Sequence, residues 1–270
     1  SVDIMPRLPA DPTADSVQAA LELVREKRPD WIVAMGGGSV LDTAKAAAVL
    51  ASNPGTVEEY LRSERSIERE GVPVVAIPTT AGSGSEVTPF ASMTDGKTKQ
   101  KISLTHEFLY PRYALLDPSL SLTLPSHQTA ISGMDALCHA IEGYWSNRAT
   151  AESDAYALTA AKQILKMLPQ AHDWGDDTDT RRDMLEASLN AGLTISNART
   201  TACHAVSYPM TVYYQIPHGT ACGMLLPSFI RYNAGNLADQ KEDRLLNTLG
   251  IPCMEHLACK VEEMKEAINL

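Results

Sequence analysis

Apolar positions recur at two different periods along the chain, and the change from one to the other divides it. Val17, Ala20, Leu21 and Val24 are three or four apart, the spacing of one helix face, and Asp15 or Ser16 can cap a helix ending near Lys27. Trp31-Ile32-Val33-Ala34-Met35 is a short unbroken apolar run that predicts a buried strand. It stops at Gly36-Gly37-Gly38-Ser39, and a second helix is expected from Val40 to about Ser52. A second strand, Val72 to Pro78, leads into a loop of hydroxyls and glycines from Thr79 to Thr88. Phe90 to Thr94 and Lys101 to Leu104 predict two strands about the turn Asp95-Gly96-Lys97, and Ala114-Leu115-Leu116 a further strand. Beyond residue 120 the strand-like runs cease. Helical spacing covers roughly 126–145, 150–168, 178–197, 198–208, 219–232 and 254–267. The pattern gives an α/β half, 1–120, and an all-helical half, 121–270.

Each half carries candidate chemistry. A strand, a glycine turn and a helix bring backbone N–H groups and a helix N-terminus to one point, which suits a phosphate. The turn at Gly36–Ser39 is neither Gly-x-Gly-x-x-Gly nor a Walker loop, and a plain tight turn is the weaker, alternative reading of it when taken alone. Asp42 and Lys45 on the following helix add weight only together with the Thr79–Thr88 loop. That loop stands at the carboxyl end of a strand, where open α/β sheets bind ligands.

In the helical half, Asp135 and His139 are at i and i+4 and share a helix face. His204 falls in a small-residue helical run, and His218 in a Pro-His-Gly turn fourteen positions later. Singly, each has a plainer explanation: an i,i+4 surface pair, a core histidine, a turn residue. Jointly, one carboxylate and three imidazoles make a donor set that suits Fe²⁺ or Zn²⁺ and leaves a position open for substrate. A cation also accounts for an acidic residue in the apolar helix start at Ser132-Gly133-Met134, because buried charge needs an opposite charge. His106, His127, His172 and His256 have no such company.

Composition narrows the function classes. A formal net charge of −10 argues against a nucleic-acid partner, since phosphate binding needs a basic surface. Five cysteines, an odd number with no Cys-x-x-Cys, predict reduced and mostly buried thiols in a cytoplasmic protein. No apolar run approaches the roughly 18 residues of a membrane span, and the first residues have no signal-peptide pattern.

Four stretches together resemble a known family: Gly36-Gly37-Gly38-Ser39-Val40-Leu41-Asp42-Thr43-Ala44-Lys45, Pro78 through Thr88, Gly133-Met134-Asp135-Ala136-Leu137-Cys138-His139-Ala140-Ile141-Glu142-Gly143-Tyr144, and Pro217-His218-Gly219. They resemble the iron-containing (group III) alcohol dehydrogenases, related in fold to dehydroquinate synthase and glycerol dehydrogenase, in that family's order and spacing over nearly the whole chain. The resemblance implies an N-terminal dinucleotide-binding α/β domain and a helical metal-binding domain of the dehydroquinate synthase-like kind. It implies that Asp135, His139, His204 and His218 hold Fe²⁺, alternatively Zn²⁺. It further implies that Gly37, Gly38 and Ser39 hold the pyrophosphate of NAD or NADP, with Asp42, Thr79, Thr80, Ser83 and Lys101 lining the dinucleotide site. A homodimer acting on a small aldehyde or its alcohol is expected on the same ground. The family begins with a further strand ahead of residue 1 and continues with more helices, so both halves are expected to lack terminal segments here.

Tyr208 departs from the pattern, because many members carry a histidine there. His-Ala-Val-Ser-Tyr-Pro resembles a subset that reduces phosphonoacetaldehyde to 2-hydroxyethylphosphonate. Tyr208, at i+4 from His204, is expected to face the metal and to relay a proton or orient substrate. Arg199 and Lys101 are the sequence candidates for pairing with an anionic substrate, with Arg148 behind them. Two alternatives are a general short-chain alcohol or 4-hydroxybutyrate-type dehydrogenase, and a non-catalytic metal- and nucleotide-binding protein. A metal-independent, maleylacetate reductase-type enzyme is disfavoured because all four ligand positions are filled.

Overall fold

The computed structural model describes residues 2–5, 8, 9, 11–238 and 240–270. It divides into two compact units, one of residues up to 79 with 85–116, the other of 80–84 with 117–270.

In the α/β unit, α1 (Ala14–Lys27) begins just ahead of the expected caps. Thr13 is the N-cap: its hydroxyl accepts from Ser16 N, and Ser16 Oγ accepts from Thr13 N, a reciprocal capping box. Strand β1 (Ile32–Gly36) is followed by α2 (Gly38–Ala51), a short α3 (Val57–Leu61) and β2 (Val74–Pro78). A hairpin follows, of β3 (Phe90–Thr94) and β4 (Lys101–Thr105), then β5 (Tyr113–Ala114). β1 and β2 run parallel in register from Ile32↔Val74 to Gly36↔Pro78, and β5 pairs parallel on the other side of β2. β5 is two residues long and ends earlier than expected, although Leu115 N still bonds to Ala76 O. α2 starts two residues before Val40 because Gly37 takes the extended cap conformation. Its Leu41 and Ala48 pack with Ala34, Val74 and Ala76, covering one face of the sheet. α3 was not expected, being too short to show a period; Thr56 and Glu59 cap it reciprocally.

In the helical unit, α4 (Ser126–Trp145), α5 (Ala151–Asp173), α6 (Thr178–Ala198), α7 (Ala202–Tyr214), α8 (His218–Asn233), α9 (Lys241–Leu249) and α10 (Met254–Ala267) follow in order. α4 is the central rod, with α5, α6 and α8 packed on it and residues from Thr129 to Tyr144 buried almost without break. That explains its weak amphipathic signal: a helix surrounded by neighbours is apolar all round. α5 and α7 both run past the prolines expected to end them, Pro169 and Pro209. A proline removes one N–H and frees one carbonyl, a cost that helix packing absorbs here. α7 also starts four residues later than expected, because Arg199 closes α6 with φ 66° and breaks the run. α9 was missed; its nine residues bury only Leu245 and Leu246. No helix among the described residues is long and apolar enough to cross a membrane.

Candidate metal centre

Three imidazoles and a carboxylate converge in the helical unit. Asp135 Oδ1 lies 3.7 Å from His139 Nε2, 3.4 Å from His204 Nε2 and 3.7 Å from His218 Nε2. The side chains come from three helices: Asp135 and His139 from α4, His204 from the first turn of α7, His218 from the first residue of α8. Two ligands of one first-row dication, each about 2.1 Å away and a tetrahedral angle apart, are separated by about 3.4 Å.

Each ring is held by its other nitrogen. His139 Nδ1 donates to Gly82 O at 3.3 Å, and His204 Nδ1 to Glu142 Oε2. Ser207 spends its own proton on His204 O at 2.8 Å, so its Oγ accepts from His218 Nδ1 at 3.5 Å. With Nδ1 as the donor, a neutral imidazole presents a lone pair at Nε2. Three lone pairs and a carboxylate oxygen then face one another with no proton between them. Asp135 Oδ1 and His204 Nε2 are buried without a hydrogen-bond partner, an arrangement native interiors rarely tolerate. A divalent cation fits: it supplies the one charge that all four groups lack.

Without a cation, the electrostatics of the cluster favour a proton on His204 in its place. Burial works against the charge on Asp135, yet the three imidazoles hold it well below the usual carboxylate range. Burial lowers His139. In His204 burial also opposes protonation, but Cys222, Asp135 and Glu142 outweigh it and raise the imidazole well above its ordinary value.

Glu142 was not singled out from the sequence, although it follows Asp135 and His139 at i+7 and i+3 on the same face of α4. It is fully buried. Its Oε1 accepts from Thr201 N at 2.9 Å, Thr201 Oγ at 2.6 Å and Cys203 N at 3.0 Å, and so caps α7, while Oε2 takes His204 Nδ1. Burial opposes its charge, but the hydrogen bonds from His204 and Thr201 hold it below the usual carboxylate value. Ser207 and Cys222, at i+3 and i+4 from a ligand candidate, are likewise legible only as companions of His204 and His218. Cys222 Sγ belongs to a group with donor atoms of Asp135, His204 and His218, all within 4.8 Å of one another.

The Pro-His-Gly motif has a packing reason. A Cβ on Gly219 would lie 2.0 Å from Ile131 O, and one on Gly223, a turn later, 2.5 Å from Met134 Cγ. α8 therefore approaches the backbone of α4 closely enough for His218 to reach Asp135. We expect Gly219→Ala to shift α8 and to cost about 1–3 kcal/mol, the range for overpacking a core. Urea unfolding and metal content check this together; a variant with unchanged midpoint and metal content removes the packing argument.

The other candidate residues lie as follows. Gly37 is the N-cap of α2 without a side-chain cap, Gly38 opens the helix, and Ser39 Oγ accepts from Asp11 N at 3.2 Å. Thr79 N donates to Gly36 O at 3.0 Å, so the glycine turn and the end of β2 stand side by side at the carboxyl edge of the sheet. Asp42 is engaged within the unit: Oδ1 accepts from Ser85 Oγ at 2.5 Å, and Oδ2 from Ser92 N at 2.8 Å. Lys45 is buried and donates to Ser85 O and Oγ, both at 2.9 Å, which ties α2 to the second loop. Lys101 pairs with Asp11 at 3.8 Å. Thr80 and Ser83 belong to the segment 80–84 that goes with the helical unit. Tyr208 is half-buried, its ring stacked on His218 with centroids 5.8 Å apart and planes 24° apart.

A parallel α/β unit with a glycine turn and a helical unit with a carboxylate–imidazole cluster define the dehydroquinate synthase-like fold class. Residues 1–118 match the model for iron-containing alcohol dehydrogenase, and 129–270 that for the Fe-containing alcohol dehydrogenase family, C-terminal. The chain belongs to the iron-containing alcohol dehydrogenase family. Among curated relatives, a probable alcohol dehydrogenase of Escherichia coli, EutG, is 42% identical over 223 residues, 83% of this chain and 56% of the relative. The phosphonoacetaldehyde reductase of Streptomyces viridochromogenes is 39% identical over 254 residues, 89% of this chain and 64% of the relative. The crystal structure of sulfoacetaldehyde reductase from Bifidobacterium kashiwanohense in complex with NAD⁺ superposes with a TM-score of 0.92 at 34% identity, over 97% of this chain and 70% of that one. The chain thus spans under two thirds of the length of these curated relatives.

Proposed function

We propose that the protein is a metal-dependent, NAD(P)-linked oxidoreductase that interconverts a small aldehyde and its primary alcohol. The observation that carries this reading is the convergence of three anchored imidazoles on the orphaned oxygen of Asp135. Asp135, His139, His204 and His218 would hold the cation, and Gly37, Gly38 and Ser39 the cofactor pyrophosphate, with Thr79, Thr80, Ser83, Asp42 and Lys101 around the dinucleotide. When bound, the cation supplies Lewis-acid polarisation of the substrate oxygen, and the nicotinamide carries the hydride. The chain's own residues supply position and proton control. Gly82 O, Glu142 and Ser207 fix the tautomers and ring planes of the three histidines. Tyr208, stacked on His218, presents a hydroxyl that orients the substrate or passes it a proton.

For the substrate, the reading we favour is an aldehyde whose α-carbon bears a tetrahedral anion, of the phosphonoacetaldehyde kind. Its support is the His-Ala-Val-Ser-Tyr-Pro motif and the two relatives named for phosphonate- and sulfonate-bearing aldehydes. The identity to EutG favours a second reading, a simple short-chain alcohol dehydrogenase. NADH and NADPH oxidation by metal-loaded protein with phosphonoacetaldehyde, sulfoacetaldehyde, acetaldehyde and succinic semialdehyde separates them. Preference for the uncharged aldehyde overturns the first reading, and no turnover with any of them overturns the enzyme assignment.

Tyr208→Phe keeps the ring and removes the hydroxyl. General acid–base groups contribute about 10²–10⁴-fold, so kcat/KM is expected to fall by at least about 10²-fold with metal content unchanged. A loss within a factor of about two would leave Tyr208 no part in the proton transfer.

A further inference from the structure

At the start of α10, away from the metal centre, a thiol faces an imidazole. Cys253 is the N-cap of this 14-residue helix, and His256 is its third residue. Cys253 Sγ lies 3.0 Å from His256 Nδ1. The extended backbone at Cys253, φ −163° and ψ 166°, puts its side chain where a capping oxygen would meet the opening amides. The sulfur therefore stands at the positive end of a helix dipole and beside a ring that can carry its proton. The imidazole, with the amide N–H groups of His256 and Glu255 behind it, holds the Cys253 thiol below its ordinary value. The sulfur in turn lifts His256 above its own. Glu255, the acidic residue of the same turn, is engaged by Arg231 of α8 at 2.8 Å. Cys253 is half-buried and His256 exposed, so the pair is open to solvent.

The other four thiols differ. Cys138, Cys203 and Cys222 are fully buried. Cys259, further along α10, is half-buried like Cys253 but meets a carboxylate, with Sγ 3.6 Å from Glu255 Oε1. Burial and that carboxylate push its thiol up. One helix thus carries two accessible sulfurs of opposite electrostatic setting. We infer that Cys253, paired with His256, is the site at which this chain undergoes thiol–disulfide exchange with low-molecular-weight disulfides of the glutathione kind. The Cys253 thiolate attacks one sulfur of the disulfide, so that an Sγ–S bond forms as the S–S bond breaks. The displaced thiolate takes the proton of His256 Nδ1 and leaves as a thiol. Cys253 is oxidised to a mixed disulfide, the departing sulfur is reduced, and excess thiol reverses the step.

Glutathione disulfide is the probe, added to the reduced protein at pH 7 and followed by intact mass and peptide mapping. The expected result is a single glutathionyl group on the peptide of Cys253, removed by dithiothreitol and absent in Cys253→Ser. An ordinary thiol is only about 3% ionised at pH 7, and one beside a carboxylate less, so Cys253 should react at least about tenfold faster than Cys259. His256→Gln replaces an exposed ring and leaves the fold intact. At pH 6 it should slow the modification of Cys253 by at least about tenfold, and by pH 9, where an ordinary thiol ionises unaided, the deficit should be gone. Labelling of Cys259 ahead of Cys253, or of neither, overturns the site. A Cys253 rate at pH 6 that His256→Gln leaves unchanged, or a deficit that persists at pH 9, overturns the role of the pair.

Discussion

His218→Ala is expected to lose retained metal and aldehyde reduction together. The substitution removes one of three lone pairs aimed at Asp135 Oδ1 and leaves the Ser207 hydroxyl without the ring it steadies. Outer partners of a metal ligand alone are worth about 10–100-fold in affinity, and loss of the ligand itself exceeds that. The effect also reads out in stability. A ligand at about 1,000 times its Kd stabilises the folded state by roughly 4 kcal/mol, so zinc or ferrous ion should raise the wild-type Tm by several degrees and leave the variant's nearly unmoved. Elemental analysis, thermal melts with and without metal, and NAD(P)H oxidation give three separate measures. Full turnover by the variant after chelation would falsify the ligand role.

The second large effect concerns Glu142. Its carboxylate serves two groups at once: the opening amides of α7 and the Nδ1–H of His204. Glu142→Ala leaves several donors buried and unpaired, and each such group costs about 1–3 kcal/mol. A loss of about 3–5 kcal/mol in urea unfolding is expected, the figure for breaking a buried charge interaction. Glu142→Gln is the more telling variant. An amide can accept at one end only, so either α7 loses its cap or His204 meets an NH₂ group and must move its proton to Nε2, towards Asp135. The fold survives, and metal affinity falls about 10–100-fold. The pH response follows from the same group. A carboxyl depressed in the folded state contributes stability above its unfolded pKa and loses it as pH falls through the lower, folded value. Glu142→Gln should therefore flatten the acid limb of the stability profile, and an unchanged limb with unchanged metal affinity would remove Glu142 from the account.

What the sequence made legible follows from periodicity. The strands ending at Gly36 and Pro78, the hairpin and the long helices were expected within a few residues, because each repeats a pattern over most of its length. The misses have local causes. Thr13 rather than Asp15 or Ser16 caps α1, since a Ser at N3 can complete a capping box as well as Glu. The positive φ of Arg199, and helices that run through Pro169 and Pro209, depend on tertiary packing that no single segment encodes. At the centre, Asp135 and His139 announce themselves at i,i+4, and the two remaining histidines join them through a motif. Glu142, Ser207 and Cys222 occupy the same helical stripes, but a lone polar residue on a buried face draws attention only once its neighbours are known. Gly82 contributes a carbonyl, which side-chain reading does not see.

The contact of Gly219 with Ile131 is one of main chain against main chain. Peptide groups have no rotamers, so this seam cannot loosen gradually as a side-chain interface can. The spacing between the α4 and α8 donors is thereby insulated from sequence drift elsewhere in the bundle.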